Sequence, residues 1–176
     1  MEFQTVVANR RSCRIYEERQ IDSQDLGRIL EAGSAAPIGR RKYEDVQITV
    51  VQNPEMLKHI SENAKAVMGS DTDPLYGAPT MLIVSVREQD GQIAPVKIAD
   101  AACVVENMHL QASELGLGSC YIWSATQAIN QNIELLYKLN LQDGFWPVSS
   151  LIVGYGAATL EERGPAFGRI KINYID

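Results

Sequence analysis

The stretch from Val96 to Leu115 contains neither proline nor glycine and runs directly into Gly116. It therefore predicts the longest helix of the chain, with a glycine as its stop signal. Its first half is apolar on nearly every face, and Ala99, Ala101, Ala102, Cys103, Ala112 and Ser113 are small side chains that let another element approach closely. Such a helix lies either in the middle of a domain or against a second subunit, and the pattern serves both readings equally.

Helices and strands alternate around it. A short helix from Phe3 to about Asn9 precedes an arginine-rich turn, and a second, capped by Asp22 or Ser23, runs to about Ala32 ahead of Gly33. Ala35 to Gly39 reads as a loop. Val46 to Gln52 alternates and is rich in β-branched residues, which predicts a strand, and Asn53 followed by Pro54 starts another helix. Met68 to Pro79, with its aspartates and glycines, reads as a mobile loop. Met81 to Val86, Ser119 to Trp123 and Val148 to Val153 are apolar runs that predict strands covered on both faces, the last two separated by one helix from about Ile129 to Leu139. A β-prone tail, Ile170 to Ile175, closes the chain. No repeat or long linker interrupts residues 1–176, so a single domain is expected.

Lys and Arg total 16 against 22 Asp and Glu, a net charge of -6, which argues against nucleic-acid binding driven by phosphate neutralisation. The longest apolar runs fall far short of the roughly 20 residues that span a bilayer, so no membrane partner is expected. The first residues lack a secretory pattern, and the expected location is cytoplasmic. Cys13, Cys103 and Cys120 have neither metal-ligand nor disulfide spacing, and they are expected as free thiols, the last two as small hydrophobes. His59 and His109 fall on predicted helices with no cysteine or carboxylate at a telling spacing, so each is expected to be structural or solvated. No metal site and no acid-base catalytic residue are predicted.

Against this acidic background stands Arg10-Arg11-Ser12-Cys13-Arg14. Guanidinium groups make planar, bidentate contacts to phosphate oxygens at any working pH, and a serine hydroxyl adds a compact donor. Three cations so close together repel one another unless an anion sits among them, so the segment is a candidate anion site. Gly116-Leu117-Gly118-Ser119-Cys120-Tyr121-Ile122-Trp123 joins the long helix to a strand, and its glycines permit a tight turn and a close approach to a ligand, with two aromatics to border a flat ring. Arg40-Arg41-Lys42 is a second basic group, and Arg163 and Arg169 are basic residues near the tail.

In this order these features resemble the nitroreductase family of FMN-dependent oxidoreductases. The resemblance spans essentially the whole chain. It rests on Arg10 to Arg14 after the first helix, Ala36-Pro37 after the second, and Tyr76-Gly77-Ala78-Pro79 before a strand. The long helix with Asp100-Ala101-Ala102 and Glu106-Asn107-Met108, then Gly116 to Cys120 and Val153-Gly154-Tyr155-Gly156, complete the set. It implies an α+β fold: a three-layer sandwich with a central, mostly antiparallel sheet flanked by helices, in an interlocked homodimer whose carboxyl-terminal strand extends onto the partner.

The resemblance further implies FMN at the dimer interface. Arg10, Arg11, Ser12 and Arg14 would hold its phosphate or the pyrimidine edge of its ring, and Tyr121, Ile122, Trp123 and Ser124 would run beside the ring with a backbone N–H toward N5. Arg163, or alternatively Arg169, would complete the phosphate site. The implied partners are NAD(P)H and a nitroaromatic, quinone or similar acceptor, served in turn by a ping-pong mechanism. Pro37, Ile38 and Gly39 occupy the loop where many members carry an Asn and a Gln-Pro-Trp type segment; here Arg40, Arg41, Lys42 and Tyr43 follow instead, so Gly39 would bring backbone amides to the flavin and an arginine would supply charge. The alternatives are a non-catalytic flavin-binding redox sensor, or a flavoenzyme of the same fold with another reaction, such as dehalogenation or flavin breakdown.

Overall fold

The computed structural model describes residues 2–157 and 168–175. Six α-helices and four strands follow in chain order: α1 (Phe3–Asn9), α2 (Ser23–Ser34), β1 (Val46–Val51), α3 (Pro54–Met68), β2 (Thr80–Arg87), α4 (Pro95–Glu114), β3 (Gly118–Ile122), α5 (Ser124–Ile129), α6 (Ile133–Lys138) and β4 (Phe145–Gly154). The strands form one sheet in the order β1-β2-β4-β3, every neighbouring pair antiparallel.

Alternation along β2 explains the three layers. Leu82, Val84 and Val86 face a cluster that includes Ile29 of α2 and Val104, Val105 and Met108 of α4. Met81 and Ile83 face the opposite cluster, with Ile60 and Ala64 of α3, Ala128 of α5 and Leu135 of α6. Successive strand residues point to opposite faces, so one apolar run builds two cores. The expectation of strands covered on both faces holds for β2, β3 and β4.

Local signals set the helix boundaries. The Asp22 carboxylate accepts from Asp25 N at 2.8 Å and the Asn53 side chain from Met56 N at 2.9 Å, each satisfying an orphan N–H of a first turn. Gly116, at φ +74°, takes the left-handed turn after α4, and Leu117 N reaches back to Ala112 O at 2.9 Å.

Several expectations are corrected. The helix expected over Ile129–Leu139 starts later, as α6 at Ile133, because the Asn132 side chain caps it by accepting from Glu134 N and Leu135 N, and a separate, unexpected short helix, α5, precedes it and ends at Ile129. The Met68–Pro79 loop, expected to be mobile, is held by Asp73, whose carboxylate accepts from Ser61 Oγ (2.6 Å), Leu75 N and Gly77 N (both 2.9 Å). Cys103 is exposed rather than a buried hydrophobe, whereas Cys13 and Cys120 are buried. The tail Ile170–Ile175 forms no strand within the chain and is exposed throughout its described part. No helix among the described residues is long and apolar enough to cross a membrane.

Candidate functional site

The arginine segment runs along the open edge of β3. Ser12 bridges Ser119 in parallel sense, and Cys13 N donates to Ser119 O at 2.8 Å. Further on, Tyr16 bridges Gly156, Glu17 N donates to Tyr155 O (2.9 Å), and Ala157 N donates to Ile15 O (3.0 Å). The segment is thus strapped across the ends of β3 and β4. Backbone groups of successive strand residues face alternate edges, so Tyr121 presents its N–H on the same open edge as the Ser119 carbonyl.

Each arginine has its own setting. Arg10 is half-buried against α4: its Nε lies 3.6 Å from Glu106 Oε1, and its Nη1 lies 3.4 and 3.5 Å from the two ring nitrogens of His109. Arg11 is half-buried and turns its Nε toward Asn9 O at 3.3 Å. Ser12 and Arg14 are exposed, and the Arg14 guanidinium sits over the Tyr76 ring, 5.8 Å from its centroid. Tyr16, half-buried within the strap, donates its hydroxyl to Cys13 O at 2.8 Å, and desolvation of the ring hydroxyl pushes its phenol far above the ordinary range.

His109 departs from the expectation that no carboxylate stands at a telling spacing. It is buried, 2% exposed on its side chain, with Nδ1 3.7 Å from the Glu106 carboxylate three residues before it. The His109 ring does most to hold the Glu106 carboxyl below the usual carboxylate range; Arg10 adds to this, and partial burial opposes it. The Glu106–His109 spacing on one helix was the signal available in sequence, but nothing local says that Arg10 lies across from it.

The segment after β3 divides its side chains. Tyr121 packs against the α2–α4 core with its hydroxyl hydrogen-bonded to Ser149 Oγ, and Ile122 is buried on the other face. Trp123 is 47% exposed, so of the two aromatics expected at a ring, this one stands at the surface. Ser124 is half-buried at the start of α5.

Pro37, Ile38 and Gly39 lie elsewhere in the chain, against the first turns of α4. Gly39 N donates to Asp100 Oδ1 at 2.9 Å, so that amide is taken up within the chain rather than offered to a ligand. The other oxygen of this buried carboxylate has no hydrogen-bond partner among the described residues. Arg40 and Arg41 both adopt left-handed backbone, φ 58° and 56°, a conformation costing non-glycine residues on the order of 1 kcal/mol each. The chain ties this loop down again at Asp45, which bonds Lys97 Nζ at 2.6 Å. Exposed positions Val96, Ala99, Cys103 and Glu106 run as a stripe along α4, with the Arg10 segment on one flank and the Pro37–Lys42 loop on the other. One chain alone does not bring the two groups together. Arg169 is exposed, and Arg163 lies outside the described residues.

A family model for the nitroreductase family matches residues 7–155. The chain belongs to the nitroreductase family. A Bacteroides fragilis nitroreductase solved with bound FMN is 29% identical, with a TM-score of 0.83 over 99% of this chain and 100% of that one. A Desulfitobacterium hafniense nitroreductase, also solved with bound FMN, has a TM-score of 0.86 at 22% identity, covering 100% and 99% of the two chains. A Methanothermobacter thermautotrophicus protein, provisionally named NADH dehydrogenase/NAD(P)H nitroreductase, is 27% identical over 161 residues, 89% of this chain and 78% of its own length. Nitroreductase-family membership agrees with the three-layer α+β architecture.

Proposed function

We propose that this nitroreductase-family protein is an FMN-dependent NAD(P)H oxidoreductase. The observation that carries the reading is the arginine segment held against the open edge of β3, the strand that leads into an exposed Trp123. The chemistry of the donors fits the cofactor. Arg10, Arg11 and Ser12 supply charge-assisted and hydroxyl donors suited to a phosphate monoester. Arg14 supplies positive charge for the pyrimidine edge of a flavin, and the Tyr121 N–H lies on the open edge where N5 would be met. FMN, when bound, supplies the redox chemistry, accepting a hydride from NAD(P)H and passing electrons to a nitroaromatic, quinone or similar acceptor in alternate half-reactions. The protein's part is to clamp the phosphate, keep a fixed cation near the ring edge, and leave one ring face open to both reactants.

The working unit proposed is a homodimer of single-domain subunits in the cytoplasm. The exposed Val96, Ala99 and Cys103 of its α4 stripe are the surface offered for the seam, which would carry the Pro37–Lys42 loop of one subunit toward the arginine segment of the other. Ile170, Ile172 and Tyr174, apolar residues at alternate positions of an exposed tail, suit the edge of β1 on a partner, beside an apolar groove of about 350 Å³ that includes Leu30, Ile38, Ile48 and Val50. Arg169 in this tail, or Arg163, would complete the phosphate site.

The deciding experiment is a visible absorption spectrum after incubation with FMN and desalting, followed by anaerobic NADH or NADPH. Retained yellow colour that bleaches with either donor supports the oxidoreductase. Retained colour that does not bleach favours a redox sensor, a reading for which the arginine-bearing, left-handed Arg40-Arg41 loop is the specific observation. Loss of all colour removes the anion site.

A further inference from the structure

We propose that His109 and Glu106 are positioning residues for Arg10, holding its guanidinium so that it serves the phosphate of the cofactor. This rests on the reading of the Arg10 segment as the FMN phosphate site and deepens it. Neither residue touches the ligand in this scheme; both act through Arg10.

The geometry is specific. Position 109 is buried on α4, beside Met108 and one turn before Ala112, on a helix half where its buried neighbours Val104, Val105, Met108 and Ala112 are apolar. A leucine would satisfy that packing. An imidazole there must find polar partners or leave a buried nitrogen unpaired, at a cost of about 1–3 kcal/mol. Among the described residues its ring nitrogens meet three groups, two of them on the arginine segment: the Arg11 carbonyl, 3.4 Å from Nε2, Arg10 Nη1, and the Glu106 carboxylate, 3.7 Å from Nδ1. Nη1 is nearly equidistant from the two ring nitrogens, at 3.4 and 3.5 Å, so the guanidinium is in reach of whichever of them carries the lone pair. Glu106, one turn earlier, holds Nε of the same guanidinium at 3.6 Å and touches the ring at 3.7 Å.

The arrangement answers two problems raised by the sequence. Arginine has a long, rotamer-rich side chain, and ordering it at the moment of binding costs affinity; contacts that order it beforehand remove that cost. Three cations within five residues repel one another, and one carboxylate placed beside the first of them lowers that repulsion before any anion arrives. A guanidinium carries its N–H donors in a rigid fork, so it can be gripped by α4 while it faces an anion. Ser113, further along α4, bonds Val6 O at 3.5 Å, and Arg10 N bonds the same carbonyl at 2.8 Å, so the backbone that carries Arg10 is docked on the same helix.

The test separates phosphate recognition from general damage by comparing two ligands that differ only in the phosphate. Dissociation constants for FMN and for riboflavin are measured by flavin fluorescence quenching on the full-length protein, for wild type, Arg10→Ala, His109→Leu, His109→Gln and Glu106→Gln. His109→Leu is expected to weaken FMN about tenfold, the equivalent of one lost charge-assisted contact, with riboflavin changed less than about twofold. His109→Gln, which keeps a polar group at the site, is expected to recover most of the loss. In the Arg10→Ala background, His109→Leu should add nothing further, since residues acting through one group are not additive. Should the leucine variant fail to fold, Glu106→Gln, which keeps the size of a side chain that is half-exposed within one chain, reads the same FMN-to-riboflavin ratio and is expected to lower it. Equal losses for both ligands, or no loss of FMN affinity where Arg10→Ala shows one, would overturn the positioning role alone. An FMN affinity unchanged by Arg10→Ala would overturn the phosphate-site reading, and this inference with it.

Discussion

Gly118 and Cys13 meet so closely that a Cβ added to Gly118 would stand 2.7 Å from the cysteine sulfur and 3.0 Å from its Cβ. A Cβ on Gly156 would stand 3.3 Å from the same sulfur. The backbone of Gly118 is ordinary strand, so glycine is required there for proximity and not for a left-handed turn. The arginine segment lies where it does because two glycines leave room for the Cys13 side chain beneath it.

Gly118→Ala is therefore expected to push the Cys13 strap off β3 and to destabilise the fold by about 1–3 kcal/mol, the range for overpacking a tight site. FMN affinity should fall with it. Combining Gly118→Ala with Cys13→Ala removes the nearest atom and should recover part of both losses. Urea denaturation midpoints and flavin titrations of the two single variants and the double variant check this; strict additivity would show that the clash is relieved elsewhere.

Arg10→Ala is expected to weaken FMN binding by about 1.5–3 kcal/mol, the range for a charge-assisted hydrogen bond to a phosphate. Arg14→Ala should cost less binding and act instead on the reduced state, lowering the flavin reduction potential, because a cation near the ring favours the anionic reduced form. Equilibrium titration and anaerobic redox titration separate the two effects.

Asp45 accepts a hydrogen bond from Lys97 at 2.6 Å and lies 3.4 Å from Arg87 Nε. The Lys97 bond is the main cause that holds its carboxyl below the ordinary carboxylate range, against some desolvation. A depressed folded pKa contributes stability that is fully present above the unfolded value, near 3.9, and is lost as pH falls through the folded value. Asp45→Asn should therefore be less stable than wild type at neutral pH, with the difference shrinking as acid is added. Urea midpoints for both proteins between neutral and about pH 3 provide the check.

Deleting residues 168–176 is expected to weaken the proposed dimer, since it removes Ile170, Ile172, Tyr174 and Ile175, which are 58–92% exposed within one chain. Sedimentation velocity from micromolar to nanomolar concentration measures the shift. A truncated protein that remains dimeric at nanomolar concentration would place the seam on α4 alone.

Much of the architecture could be read residue by residue. The Asp22 and Asn53 caps, Gly116 after the long helix and the apolar run of β2 act within a few residues of themselves, and the structure agrees with each. The failures have local causes too. Asn132 caps a new helix inside a stretch whose apolar periodicity continues across it, and Asp73 organises a loop whose composition suggests freedom. Cys103 sits among small apolar residues, but helix phase turns it outward, away from both cores.

The site divides in the same way. Its chemistry was legible, because arginines clustered in an acidic chain carry their charge and donors wherever they sit. Its assembly was not. The contact of Arg10 with His109 spans 99 residues of chain, and the notch between Gly118 and Cys13 joins segments equally remote. The sequence by itself determined which groups carry the charge and donors suited to an anion and where most helices start and stop, since those follow from side-chain chemistry and from backbone preferences over one turn. Only the tertiary structure decided which arginine is gripped by α4, which aromatic faces solvent and which glycine is needed for room, because those depend on packing between elements that chain order does not place together.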